Sequence, residues 1–238
     1  MKLRHYLASV ENMNNRESLV SLLSHFNRKE RYWLLNNALG SPTISNSYLR
    51  QLAMRLGIAM PEGNVWWAMD YHFDWLHAAL VCMERGCMID SLSEPQSNVA
   101  NDADSNQKET YIKGNQEDID LIIAFEQTLL LIEAKGDIAW SQKQMKSKAQ
   151  RIKALPRPKN LTIRLILTSH HEAKYIVDGE WLKDIPEFML DNGQPFVVGL
   201  NNFGGGVPLY RVTRCDEKGK SDAKGTYWRT QICNSFTA

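Results

Sequence analysis

The sequence predicts an α/β protein whose central sheet is covered on both faces, and three features carry that prediction. Two apolar runs, "DIDLIIAF" from Asp118 to Phe125 and "TLLLIEAK" from Thr128 to Lys135, follow each other with almost nothing between them. Each is apolar at neighbouring as well as alternate positions, so the hairpin they form has no face meant for water. A basic amphipathic helix, "SQKQMKSKAQRIKAL", and a further strand, "LTIRLILTS", come directly after.

Taken in order, residues 1–60 read as helical. "ESLVSLLSHF" and "RKERYWLLNNAL" space their apolar residues as helices do, and "GSPTIS" interrupts them. "YLRQLAMRLGI" places Leu49, Leu52, Ala53 and Leu56 on one face and closes at Gly57, a suitable C-cap. Such a helix either belongs to a DNA-reading helix-turn-helix or simply packs. The division expected is a small helical domain over residues 1–62 and a larger domain over 63–238. The segment "VWWAMDYHFDWLHAALVCMERG" reads as one long aromatic helix ended by Gly86, with Asp70 and Asp74 in its first half and Glu84 in its last turn. A polar stretch, "SEPQSNVANDADSNQKE", reads as a loop, and the two strands follow it. The basic helix is stopped by the prolines of "PRPK". After the next strand the chain is short strands and loops. "FGGGVP" is a turn with no helix behind it, so it is no phosphate loop.

Composition limits the choices. Hydrophobic content of 43% and charged content of 23% suit a soluble globular chain. No stretch has the length and apolarity of a secretory signal or a membrane span. Cys82, Cys87, Cys215 and Cys233 show no C-x-x-C pairing and read as reduced thiols of a cytoplasmic protein. The net charge of +1 conceals a local bias. From Ile138 to His171 there is no acid but there are eight bases: Lys143, Lys146, Lys148, Arg151, Lys153, Arg157, Lys159 and Arg164. The segment before it is mostly acidic. That pattern suits a cation site beside a surface for anions, or else a solvated helix face.

The chemistry centres on "LLLIEAKGD", residues 129–137. Period-2 geometry points Glu133 and Lys135 the same way, from a strand whose burial makes any unpartnered charge costly. Acid-x-Lys triplets also occur at Glu172/Lys174, Asp216/Lys218 and Asp222/Lys224, but only Glu133 and Lys135 end an apolar strand paired with another that bears an acid, Asp120. Register decides whether the three meet. A two-residue loop, Glu126-Gln127, sets Asp120 opposite Glu133, whereas a four-residue loop sets it opposite Lys135. Either places all three on one face, and a three-residue loop without a bulge does not. Converging carboxylates repel unless a cation lies between them, and oxygen-only ligation favours Mg²⁺ or Mn²⁺. Beside such an ion Lys135 can orient or deprotonate a water, or stabilise transition-state charge. His170 and His171 follow a strand end but pair with no nucleophile, and His72 and His77 read as packing or capping residues.

Asp120, the gap, and Glu133-Ala134-Lys135 after a hydrophobic run resemble the PD-(D/E)XK nuclease superfamily, over about residues 85–170. Ile119 stands where the motif's proline would be. The resemblance implies a restriction-endonuclease-like αβββαβ core with a mixed central sheet, a divalent metal and phosphodiester hydrolysis. Asp120 and Glu133 would hold the metal, helped by the Ala134 carbonyl, and Lys135 would be the catalytic lysine. Glu84 would be the acid that many members carry on the preceding helix, with Asp74 as the alternative. Lys143, Lys146, Lys148 and Arg151 would contact the backbone of a nucleic acid, DNA before RNA. Homodimerisation stays open. The rival readings are a binding module on the same fold that does not cleave, and a structural protein without nucleic acid.

Overall fold

The computed structural model describes residues 17–27, 29–63, 65–98, 110–114, 117–135, 142–169, 179–199 and 210–232. Three helices come first: α1 (Leu19–Phe26), α2 (Glu30–Leu39) and α3 (Asn46–Leu56). Ser18 caps α1, its hydroxyl accepting the Ser21 N–H at 3.1 Å. Gly57 ends α3 in the left-handed region at φ 63°, as its place after Leu56 predicts.

Next the chain departs from the sequence expectation. The stretch that reads as one long helix is a strand and a helix, β1 (Trp66–His72) and α4 (Phe73–Arg85). The aromatic residues of β1 suit a pleated surface, and their partner strand supplies what local pattern cannot. β1 runs antiparallel to β2 (Asp118–Phe125), with Ala68 across from Ile122 and His72 across from Asp118. β2 runs antiparallel to β3 (Thr128–Lys135), with Phe125 facing Thr128, so the loop is the two-residue Glu126-Gln127. Glu126 takes the positive φ, 47°, that a tight hairpin turn requires of one central residue.

β3 is then joined through α5 (Gln142–Lys153) to β4 (Thr162–Ser169), which lies parallel to it, and β5 (Phe196–Gly199) adds parallel to β4. The result is a mixed five-stranded sheet in the order β1-β2-β3-β4-β5. A separate antiparallel pair, β6 (Tyr210–Cys215) and β7 (Tyr227–Ile232), follows.

The sheet is buried on both faces. One face packs Ile122, Leu129, Leu131 and Leu165 against α1, α4 and α5, through Leu22, Leu76, Leu80, Met145, Ala149 and Ile152. The other packs Ile123, Leu130, Ile132 and Ile166 against Leu49, Leu52 and Leu56 of α3. Each such side chain contributes about 1.5–3 kcal/mol when fully buried. The N-terminal helices therefore share their apolar residues with the sheet: α1 lies on one face and α3 on the other. The sheet covers the apolar face of α3. Cys82, Cys87 and Cys215 are free thiols. No helix among the described residues is long and apolar enough to cross a membrane. His170, His171, the Glu172/Lys174 pair, Cys233 and the "FGGGVP" turn lie outside the described residues.

Candidate active site

The β2–β3 ladder ends at Leu121 opposite Ile132, and one step further Asp120 stands across from Glu133. There the Asp120 carboxylate itself accepts the Ala134 N–H, at 2.7 Å. One carboxylate oxygen is thus fixed by the backbone of the motif strand, next to Glu133. A third acid, Asp118, begins β2. Its carboxylate takes the Lys29 ammonium at 2.9 Å and has His72 Nδ1 at 2.8 Å.

Glu133 is 1% exposed. Both of its oxygens lie 2.5 Å from the Lys148 ammonium, which also donates to the Asp118 carbonyl at 2.7 Å. Burial pushes the Glu133 carboxyl above the ordinary carboxylate range. Lys148 opposes that rise, Asp120 adds to it, and Lys135 opposes it, so all three lie within electrostatic reach of Glu133. Lys135 is partly exposed at the end of β3. The structure therefore groups Asp120, Glu133 and Lys135 as the two-residue loop predicts.

The raised pKa makes a prediction for the metal-free protein. A carboxyl raised in the folded state favours folding most at low pH, where it is protonated in both states. Stability is lost as pH climbs above the carboxyl's ordinary range. Melting temperatures measured upward from about pH 4 should fall with pH, and Glu133→Gln should flatten the slope. A slope unchanged by the substitution would mean that Glu133 is not the titrating group.

The other expected residues divide. Lys148 and Arg151 are 6% and 5% exposed, which corrects the expectation that they offer charge to a phosphate backbone. Lys148 is engaged by Glu133. Arg151 pairs with Asp74, donates to the Tyr111 carbonyl at 2.8 Å and lies over the Phe73 ring at 5.7 Å. The reason is visible in the spacing: Met145, Lys148, Ala149 and Ile152 fall at i, i+3, i+4 and i+7, so Lys148 belongs to the stripe that faces the sheet. Lys143 and Lys146 are exposed on the outer side of α5, and Lys153 approaches Asp184 at 3.5 Å.

Glu84 is not brought to the cluster. It is exposed in the last turn of α4, about 15 Å along the helix from Asp74 at the start. Asp74 sits at the correct end of α4 but is held by Arg151 and by the Lys113 and Gly114 N–H groups. Those bonds hold its carboxyl below the ordinary range despite its partial burial. Asp118 and His72 are neighbours that sequence reasoning misses. His72 lies in the segment that reads as helix, and Asp118 shares the parity of Asp120, the one signal available for it.

No group of three His, Cys, Asp or Glu side chains arranged to hold a metal occurs among the described residues. A metal here would rest on Asp120 and Glu133, with main-chain, water and substrate oxygens completing its shell. That donor set suits Mg²⁺ or Mn²⁺, which are often held by one or two carboxylates plus phosphates. No protein-family model, no curated protein and no solved structure matches the chain.

Proposed function

We propose that the protein is a divalent-metal-dependent nuclease of the PD-(D/E)XK type, acting on DNA before RNA. One observation carries the reading: Asp120 and Glu133 stand in facing register, with Lys135 two residues on, at the end of a buried strand pair. The strand order agrees with the implied core, since β1, β2 and β3 are antiparallel and β4 returns parallel to β3 through a helix. α4, inserted between β1 and β2, is an addition to that core.

In this reading Asp120 and Glu133 hold a Mg²⁺ or Mn²⁺ ion through oxygen. When bound, such an ion lowers the pKa of a water and neutralises charge on a phosphate oxygen. Ala134 N–H fixes the Asp120 carboxylate, so it needs no reorientation at the moment of reaction. Lys135, as an ammonium, orients the attacking water and stabilises the charge that builds on the phosphoryl oxygens. The experiment that tests the reading is cleavage of mixed DNA and RNA substrates by the purified protein, with Mg²⁺, with Mn²⁺ and with chelator.

The outer side of α5 supplies the backbone contacts. Charge reversal at Lys143 and Lys146 should weaken DNA binding for every sequence and lower the slope of log K against log salt by about 2, one unit per lost phosphate contact. An unchanged slope would return this side of α5 to a solvated surface. A second reading, a binding module that does not cleave, draws on one observation: Lys148 already neutralises Glu133. Binding without metal-dependent turnover would favour it.

A further inference from the structure

The most unusual group near the strand pair is a lysine that takes the place a metal would need. The Lys148 ammonium has three N–H donors. They go to Glu133 Oε1, Glu133 Oε2 and the Asp118 carbonyl, at 2.5, 2.5 and 2.7 Å. The side chain is 7% exposed and that of Glu133 2%, so neither charge has water to fall back on. Lys148 is bound symmetrically to both carboxylate oxygens. A hard ion must approach an oxygen of the same carboxylate to about 2.0–2.1 Å. Two cations on one buried carboxylate repel strongly, because little solvent screens them.

Resting on the nuclease reading, we propose that Lys148 is the resident cation of the metal seat, and that a divalent ion binds Glu133 only by displacing it. Metal binding is then an exchange of one cation for another, and Lys148 sets the metal affinity lower than the carboxylates alone would give. The sequence position fits a movable counter-ion. Its helix is anchored by Met145, Ala149 and Ile152, so the long stem of Lys148 can swing without moving α5.

The test compares the full-length protein with Lys148→Met, which keeps the length of the side chain and suits the apolar stripe around it. Mn²⁺ binding is measured from about pH 6 to 9 by calorimetry and by the signal of free Mn²⁺ in electron paramagnetic resonance, because Glu133 must lose its proton to hold a metal and Lys148 helps it do so. At the alkaline end, where Glu133 is ionised in both proteins, Lys148→Met should bind Mn²⁺ at least about 10-fold more tightly than wild type, as expected when a competing charge is removed. Equal or weaker binding there would overturn the proposal and make Lys148 a support of Glu133 instead.

A second measurement needs no substitution. Wild-type protein is acylated with an amine-reactive ester, with and without saturating Mn²⁺, and labelling is read by peptide mass with exposed Lys146 as the internal reference. Lys148 labelling should rise several-fold with Mn²⁺, and a constant ratio to Lys146 would overturn the exchange even if Lys148→Met fails to fold. Should wild type cleave nucleic acid with Mn²⁺ while Lys148→Met binds no more tightly, the exchange fails and the nuclease reading stands. Should neither protein bind Mn²⁺, both fail.

Discussion

Replacement of Lys135 by methionine is expected to slow nucleic-acid cleavage by about 10²-fold or more, the usual effect of losing a general acid–base or charge-stabilising group. Metal affinity should change little, since an ammonium cannot be a ligand. Folding should be intact, because Lys135 is partly exposed at a strand end. Asp120→Asn should act differently. It keeps a partner for the Ala134 N–H, so the strands stay fixed, but it loses a charged ligand, and metal affinity and cleavage should fall together. Single-turnover kinetics beside Mn²⁺ calorimetry separate the two. A Lys135→Met protein with undiminished cleavage would remove Lys135 from the chemistry, and damage from Asp120→Asn through unfolding alone would make Asp120 a structural residue.

The second large effect concerns stability. Arg151→Met leaves Asp74 without its cation and the Tyr111 carbonyl without its donor, and it loses the contact with Phe73. Removing one partner of a buried ion pair typically costs 3–5 kcal/mol. Because the side chain of Asp74 keeps 16% of its exposure, about 3 kcal/mol is expected here. In a chain of this size that lowers the melting temperature by about 6–12 °C. Asp74→Asn in the same protein should recover part of the loss, since no charge is then stranded. The salt dependence of DNA binding should not change, because Arg151 offers no charge to solvent. A stable Arg151→Met protein with a shallower salt slope would reverse this assignment and return Arg151 to the binding surface.

The parts of the fold legible in the sequence are those written locally. The hairpin follows from two apolar runs and the short gap between them, and a two- or a four-residue loop puts Asp120 on the face of Glu133; the pairing of Phe125 with Thr128 selects the two-residue loop that sets them opposite. The stop of α3 at Gly57 and the prolines after α5 are equally local. β1 is not legible, because "WWAMDYH" runs into a helix without a break and its strand character depends on β2, some fifty residues on. The seats of α1 and α3 on opposite sheet faces are no more local: an amphipathic helix announces an apolar face but not which surface will cover it. Lys148 is misplaced by its residue type. A lysine in an apolar stripe looks like a solvated flank until a buried carboxylate is known to lie beneath it. The i, i+3, i+4, i+7 spacing around Lys148 holds the burial, and nothing local holds the identity of its partner.

The most direct measurement is a paired cleavage assay. Wild-type and Asp120→Asn protein, purified in parallel, are incubated with labelled DNA and RNA in Mg²⁺, in Mn²⁺ and in chelator. Phosphodiester products are expected from wild type only when metal is present, and none above background from Asp120→Asn. Equal cleavage by both proteins, or no cleavage by wild type with either metal, would contradict it.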